Sequence, residues 1–272
     1  MKKCLSLCLA FILIFTVSGC KCDLMQERPF GVWWWDDTLS DEYLSFASEN
    51  GVNEIYYCND DFDNGTSSFI EKANELGIDV YWLAGEYEWL NDSSSLHLKI
   101  NNYMNYQNTF SNKFKGIHLD IEPHQDPLFD SKREELITSL IVLANDLNNK
   151  YPKIFFDYDL PFWLDDKVSF NGQFKEAYKY IIDIADRVFL MSYRDSAQSI
   201  YDVSEEEIEY STSVNKILIL GIETKSDEGD SISFQEEGQD YMYNEIINLW
   251  KLLPSEYGVA IHNIKSWYEM KE

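Results

Sequence analysis

Short apolar and aromatic runs recur along the chain, and each run ends in polar residues. Eight of these runs have the length and composition of buried β-strands. They cover residues 30–35, 54–58, 79–84, 116–121, 153–158, 187–192, 216–222 and 258–263. The intervening segments carry apolar residues at i, i+3, i+4 and i+7, which predicts amphipathic helices. The clearest helical segments are residues 39–51, 67–77, 131–150, 174–186 and 236–253.

This alternation predicts the fold class. Eight strands that alternate with helices over about 240 residues fit a single (β/α)8 TIM barrel better than a doubly wound sheet. No linker sequence interrupts residues 29–272, so we expect them to form one barrel domain. In such a barrel the catalytic groups lie at the C-terminal ends of the strands, and the residues at those ends are therefore the first candidates for a site.

The first residues have the pattern of a secretory signal. Lys2 and Lys3 precede an apolar run over residues 4–17, which is too short to span a membrane. The next residues, "VSGC", resemble the lipobox of bacterial lipoproteins, in which the peptide is cleaved before a cysteine that is then lipidated. The resemblance implies a signal peptide over residues 1–19, lipidation of Cys20 and a tether over residues 20–28. We therefore expect a bacterial cell-envelope protein, attached to the membrane only by its lipid anchor and facing outside the cytoplasm.

Charge and cysteine usage exclude several classes of protein. The chain has 48 acidic and 22 basic residues and a net charge of -26, so a nucleic acid would be repelled. Of the five cysteines, only Cys22 and Cys58 would remain unmodified after processing. A disulfide framework and a cysteine-based zinc site are therefore not expected. We expect a monomer without a cofactor.

The strongest candidate site lies in "KGIHLDIEPHQDP", residues 115–127. His118, Asp120 and Glu122 alternate there with apolar residues, which places the two sets on opposite faces of a strand. The apolar set should pack against helices, and the polar set should point into the barrel. Buried carboxylates without partners are costly, so two inward carboxylates indicate a functional site rather than a contribution to stability.

Two segments resemble motifs of chitinase-like family 18 glycoside hydrolases. "KGIHLDIEP" resembles the strand 4 signature Asp-x-x-Asp-x-Asp-x-Glu at Asp120 and Glu122, whereas Lys115 and His118 replace its first two acids. "FLMSYRD", residues 189–195, is similar to the strand 6 Met-x-Tyr segment. The resemblance implies a TIM-barrel glycoside hydrolase that acts on a glycan or oligosaccharide.

Carried over to this chain, the resemblance implies a role for each matching residue. Glu122 would be the general acid, Asp120 would be its partner and would orient the substrate, and Tyr193 would donate a hydrogen bond to the reacting sugar. Glu223 offers a second scheme, because strands 4 and 7 carry the acid/base and the nucleophile in many retaining barrel glycosidases. Glycoside hydrolysis uses a pair of carboxyl groups, and the sequence leaves open whether Asp120 or Glu223 completes the pair.

Other residues at the strand ends complete a predicted sugar-binding surface. The chain has 8 Trp, 18 Tyr and 16 Phe, more rings than a core holds easily, and those at the rim could offer flat faces to sugars. The predicted substrate-binding residues are Trp34, Glu86, His118, Asp157, Trp163, Arg194, His262 and Trp267.

Two alternatives remain open at this point. His118, Asp120, Glu122 and His262 together offer nitrogen and oxygen ligands for a metal-dependent barrel hydrolase. The chain could also be an inactive barrel lipoprotein that only binds glycans, because a fold does not guarantee an activity.

Overall fold

The computed structural model describes residues 28–36, 39–226, 229 and 231–270. The predicted signal peptide, Cys20 and the tether up to residue 27 lie outside these residues. Eight parallel strands close into a barrel, which confirms the predicted (β/α)8 fold. In barrel order the strands are β1 (Phe30–Trp34), β2 (Glu54–Tyr57), β3 (Asp79–Ala84), β4 (Ile117–Leu119), β5 (Phe156–Pro161), β8 (Arg187–Met191), β9 (Ile217–Glu223) and β10 (Gly258–His262).

Helices surround the barrel in the described part of the chain. They are α1 (Asp41–Glu49), α2 (Asn64–Glu75), α3 (Ser94–Thr109), α4 (Phe129–Lys150), α5 (Ala177–Ile184), α6 (Ala197–Ser213), α7 (Gln239–Leu252) and α8 (Ile264–Glu269). Short 3-10 helices follow β3 (Tyr87–Leu90) and β4 (Pro123–Gln125). None of the described helices is long and apolar enough to cross a membrane. Several helices begin at a polar residue that accepts a backbone N–H, such as Ser40 before α1 and Asp63 before α2.

The barrel has two cores, as side-chain alternation along its strands requires. The outer core lies between strands and helices and contains Ile117 and Leu119 of β4. The inner core fills the barrel with aromatic and aliphatic side chains, including Trp33, Tyr56 and Phe189. His118 points into this inner core, where its ring contacts Tyr56 and Phe189. The predicted division of residues 116–121 between the two faces is therefore confirmed.

Two predictions between residues 153 and 186 are wrong. β5 begins at Phe156 rather than at residue 153, because a turn closed by the Ile154 N–H on the Tyr151 carbonyl takes up the first residues. Residues 174–186 are not one helix. Their first part is β7 (Gln173–Glu176), which forms an antiparallel hairpin with β6 (Lys167–Phe170), so α5 is shorter than predicted.

The hairpin follows from its turn residues. Asn171 and Gly172 connect β6 to β7 and have φ values of 49° and 76°. Two consecutive residues with positive φ are typical of a two-residue hairpin turn, and Asn-Gly is the sequence that adopts it most readily. This pair is the sequence signal for the hairpin, and it outweighs the helical spacing that follows it.

Candidate active site

A cleft of about 820 Å³ lies at the C-terminal ends of the barrel strands. It brings together seven of the predicted site residues: Asp120, Glu122, Trp163, Tyr193, Arg194, Glu223 and His262. Aromatic side chains that line it include Trp35, Tyr87, Phe162 and Trp163. Carboxyl groups and aromatic rings that line one cleft form the arrangement expected of a site that holds a sugar.

Asp120 and Glu122 follow directly after β4. The Asp120 N–H still donates to the Ala84 carbonyl at 3.0 Å, so pairing with β3 continues and keeps the side chain on the inner face. Glu122 precedes Pro123, which starts a 3-10 helix and ends the extended segment. The Glu122 side chain is 13% exposed and accepts a hydrogen bond from the Gln125 amide. Both carboxyl groups therefore line the cleft, Asp120 on the inner face of the barrel and Glu122 at the start of the 3-10 helix that follows.

The environment of these carboxyl groups disfavours their ionised forms. Burial, followed by the negative charges of Asp159 and Glu122, raises the pKa of Asp120 well above its usual value. Burial and Asp159 raise the pKa of Glu122 to about 7. A carboxyl group that keeps part of its proton at neutral pH can donate that proton to a leaving group, which is the requirement for a general acid.

Tyr193, Glu223 and His262 form another wall of the cleft. Glu223 Oε1 accepts the N–H groups of Thr224 at 2.7 Å and Lys225 at 2.8 Å, and Oε2 lies 2.8 Å from His262 Nδ1. The Tyr193 ring stacks on the His262 ring with centroids 5.9 Å apart. Burial raises the pKa of Tyr193 well above 10, so its hydroxyl group keeps its proton and remains a donor.

A polar layer lies directly beneath the cleft. Asp159 Oδ2 is 2.8 Å from His118 Nε2 and 3.1 Å from Trp33 Nε1. Burial by itself would lower the pKa of His118, but Asp159 and Asp157 outweigh it and raise that pKa to about 9. A pKa of about 9 favours the imidazolium form of His118 at neutral pH, and in that form both its Nε2–H and the Trp33 indole N–H donate to Asp159.

A second polar layer lies nearer the N-terminal ends of the strands. Arg187 donates to both oxygens of Asp157, from Nε at 3.1 Å and from the guanidinium at 2.8 Å. It also donates to Glu54 at 2.8 Å. Burial alone would raise the pKa of Asp157, but Arg187 and His118 outweigh it, and the pKa lies below its usual value. Charged side chains inside the barrel therefore extend from the N-terminal ends of the strands to the cleft.

Several residues predicted to bind substrate do not line the cleft. Trp34 faces outward and packs on Phe69 with ring centroids 5.2 Å apart, because its neighbours Trp33 and Trp35 occupy the inward positions. Trp267 lies in the outer core, where it packs on Phe30. Both predictions are wrong, since alternation along β1 and packing of α8 bury these rings under helices.

The other misplaced predictions concern polar residues. His118 and Asp157 are fully buried below the cleft, where each is bound to other side chains rather than available to a sugar. Glu86 lies on the correct face of the barrel, but its carboxylate pairs with Lys99 at 3.1 Å and does not line the cleft. These three residues support the site or its rim and do not form its surface.

The metal-site alternative does not fit the described residues. No three His, Cys, Asp or Glu side chains in the described part of the chain are arranged to hold a metal ion. His118 lies below the cleft and is bound to Asp159, whereas His262 is bound to Glu223 on another wall. The proposed ligand set is therefore divided between separate places.

Asp159, Trp33 and Lys225 belong to the site but were not among its predicted residues. Asp159 has the same inward parity on β5 as Asp157, which is a local sequence signal. Its contact with Trp33 joins residues 126 positions apart. Lys225 follows β9 and lines the cleft, where its charge lowers the pKa of Glu122. Nothing in its local sequence marks it.

Comparisons with known proteins find solved structures that share the barrel fold of this chain. The chain matches no protein-family model, and a search of curated proteins finds no significant match. The spore cortex-lytic enzyme SleL of Bacillus megaterium QM B1551 is 16% identical over 89% of this chain and 73% of its own, with a TM-score of 0.52.

Two further solved structures give similar values. Endo-beta-N-acetylglucosaminidase from Cordyceps militaris is 11% identical over 89% of this chain and 84% of its own, with a TM-score of 0.53. SleL of Bacillus cereus is 13% identical over 88% of this chain and 72% of its own, with a TM-score of 0.53. The resemblance predicted from strands 4 and 6 is thus confirmed as a likeness of fold, and the chain shares the barrel of these enzymes.

Proposed function

We propose that the protein is a glycoside hydrolase that acts on a glycan or oligosaccharide, with Glu122 as its general acid. The position of Glu122 carries this proposal. Its carboxyl group lines an aromatic cleft at the C-terminal end of the barrel and is largely buried, and its pKa is raised to about 7. Proton donation to a glycosidic oxygen needs a carboxyl group in that state.

Asp120 is the second carboxyl group in this proposal. It lies two residues before Glu122, lines the same cleft and has a raised pKa of its own. Glu223 is less suited to the role, because it is 1% exposed and its two oxygens are engaged by Thr224, Lys225 and His262. We assign Glu223 to holding His262, and Tyr193 to donating a hydrogen bond to the sugar.

Aromatic side chains provide surfaces for the sugar rings. Trp163 lines the cleft and is held from behind by Arg133, whose guanidinium lies 5.2 Å from the ring centroid. Trp35 and Tyr87 also line the cleft. Flat rings held in place bury the apolar faces of a pyranose at little entropic cost.

The substrate assay tests the role of Glu122 directly. Purified protein is incubated with a panel of glycans that includes β-linked N-acetylglucosamine oligosaccharides and spore-cortex fragments. These two substrates are suggested by the endo-beta-N-acetylglucosaminidase and the spore cortex-lytic enzymes that share its fold. Glu122→Gln should lower kcat/KM by about 10²- to 10⁴-fold and leave glycan binding intact. Glu86→Gln is the matched control, because Glu86 lies at the rim and pairs with Lys99 outside the cleft lining.

Two results would overturn this proposal. Unchanged turnover by Glu122→Gln would remove Glu122 from the role of general acid. Binding of glycans without any hydrolysis by the wild-type protein, measured by calorimetry, would favour the inactive glycan-binding alternative.

We also propose that lipidated Cys20 attaches the protein to a bacterial membrane outside the cytoplasm, as the lipobox resemblance implies. Arg28 supports an orientation for this attachment, because it donates to the Pro254 carbonyl at 2.9 Å, just before β10 begins. The chain thus enters the barrel at the face opposite the cleft. Cys20→Ser should move the protein from the membrane fraction to the soluble fraction, and wild-type protein in the soluble fraction would contradict the proposal.

A further inference from the structure

Asp120 and Asp159 occupy neighbouring positions on two adjacent strands. The register pairs His118 of β4 with Asp157 of β5, so the next inward positions on the two strands belong to Asp120 and Asp159. Backbones of paired strands lie about 4.8 Å apart, which places these side chains next to each other on the inner face. Two carboxyl groups therefore meet under the floor of the cleft.

Each of these carboxyl groups has one buried oxygen that lacks a hydrogen-bond partner among the described residues. That oxygen is Oδ1 in both Asp120 and Asp159. A buried unpaired acceptor is costly, and two like charges side by side on adjacent strands repel each other. A single proton shared between the two carboxyl groups removes both costs, because one Oδ1 becomes a donor to the other.

The contacts of Asp159 indicate which partner carries the proton. Its second oxygen accepts hydrogen bonds from Trp33 at 3.1 Å and from His118 at 2.8 Å. Two donors, one of them a cation, favour the carboxylate form of Asp159. Asp120 has no comparable cationic donor. Lys225, which follows β9, acts on Asp120 through its charge but makes no hydrogen bond to it among the described residues.

We propose that Asp159 is a positioning residue, which accepts a hydrogen bond from the protonated carboxyl group of Asp120 and so fixes its orientation. The remaining oxygen of Asp120 then serves the cleft as an acceptor for an N–H or O–H group of the sugar. This inference rests on the proposed function and deepens it, because it explains how the partner of Glu122 is held.

The arrangement also accounts for His118. In the strand 4 signature that this chain resembles, an acid stands at position 118. Here Asp159 supplies a carboxylate from the neighbouring strand, and the imidazolium of His118 balances its charge from below. In this chain the carboxylate next to Asp120 therefore belongs to β5.

The charged and titratable groups that face Asp120 come from several elements. They are Asp159 on β5, His118 and Glu122 on its own strand, Tyr193 after β8 and Lys225 after β9. Of these, Asp159 acts on both Asp120 and Glu122, and it raises the pKa of each. Removing its charge should therefore change the titration of both carboxyl groups in the same direction.

The first test compares Asp159→Asn with Asp157→Asn. The two residues lie on the same strand and the same face, and both are buried, but Asp157 is bound to Arg187. Asp159→Asn should move the alkaline limb of kcat/KM to lower pH by about one unit and lower kcat by about 10- to 100-fold. Asp157→Asn should lower the free energy of unfolding and leave the alkaline limb of kcat/KM at the same pH. Superimposable pH profiles of Asp159→Asn and wild type would overturn the proposal.

The second test does not depend on turnover. The infrared difference spectrum between wild type and Asp120→Asn at pH 7 should contain the C=O band of one protonated carboxyl group. In the Asp159→Asn background the same band should titrate away at lower pH. Absence of the band in wild type, or an unchanged titration, would overturn the proposal. If the band behaves as expected and no glycan is hydrolysed, the proposed function fails while the pairing of Asp120 with Asp159 stands.

Discussion

Glu223 Oε2 lies 2.8 Å from His262 Nδ1, between the last residues of two neighbouring strands that pair in register. The other oxygen of Glu223 accepts two backbone N–H groups. This carboxyl group is therefore fixed by the loop after β9 and by β10, and it in turn fixes the His262 ring on which Tyr193 stacks. The pair shapes one wall of the cleft without placing a free carboxylate oxygen in it.

Glu223→Gln should therefore lower kcat/KM far less than Asp120→Ala. The glutamine oxygen can still accept the two backbone N–H groups, and its amide can donate to His262, so we expect kcat/KM to fall about tenfold. Asp120→Ala removes both the donor to Asp159 and the acceptor in the cleft, and it should lower kcat/KM by about 100-fold or more. Steady-state kinetics with a soluble oligosaccharide measure both values. Two results together would instead identify Glu223 as the nucleophile. Glu223→Gln would lose as much activity as Glu122→Gln, and azide would restore activity to Glu223→Ala.

The pH dependence of kcat/KM should report Glu122. The general acid must be protonated in the free enzyme, and burial together with Asp159 raises its pKa to about 7. Activity should therefore fall as the pH rises above about 7. Lys225 lowers this pKa, so Lys225→Met should move the alkaline limb to higher pH. A limb that moves to lower pH in Lys225→Met would contradict the assignment of the limb to Glu122.

Arg187 should be essential for stability rather than for catalysis. Arg187→Met removes the partner of a fully buried Asp157 and of Glu54, and an unpaired buried charge costs about 3–5 kcal/mol of unfolding free energy. Urea unfolding measures this loss. Lys72→Met is the control, because the exposed ion pair of Lys72 with Asp41 should contribute less than about 1 kcal/mol. Equal effects of the two substitutions would refute a structural role for the buried pair.

Stability should fall as the pH rises from about 6.5 to 9, and His118 should be the cause. Although burial opposes it, Asp159 and Asp157 raise the folded-state pKa of His118 from 6.5 to about 9. The stabilisation is therefore complete below pH 6.5 and is lost as the pH rises through the folded-state pKa. It amounts to about 3 kcal/mol. Urea unfolding of wild type and His118→Gln at several pH values should show the difference between them shrink over this window, and a constant difference would exclude the imidazolium.

Gly85 should tolerate no side chain. A Cβ atom at Gly85 would lie 2.0 Å from the backbone oxygen of Asp120, so β3 and the residues after β4 would have to separate at the site. We expect Gly85→Ala to lower the unfolding free energy by about 3 kcal/mol and to reduce kcat. At Gly221 the nearest atom is 3.1 Å away, so Gly221→Ala should cost less. Wild-type kcat in Gly85→Ala would contradict the tight contact.

Much of the fold follows from local pattern. Alternation of side chains is a property of each strand by itself, so the inward position of His118, Asp120 and Glu122 could be predicted without knowing any neighbour. The same rule failed for Trp34 only because three adjacent tryptophans left the parity of the strand ambiguous. The hairpin at Asn171 and Gly172 also has a local signal, which is a two-residue turn rather than a periodicity.

The sequence by itself therefore determined the barrel, the strand that carries Asp120 and Glu122, and the direction in which they point. Only the tertiary structure decided what these carboxyl groups meet. The neighbouring positions of Asp120 and Asp159 follow from the register of β4 against β5, and the contact between Glu223 and His262 depends on that of β9 against β10. Register is set by closure of the whole barrel, because each strand is fixed by two neighbours, and no single segment of the chain contains that information.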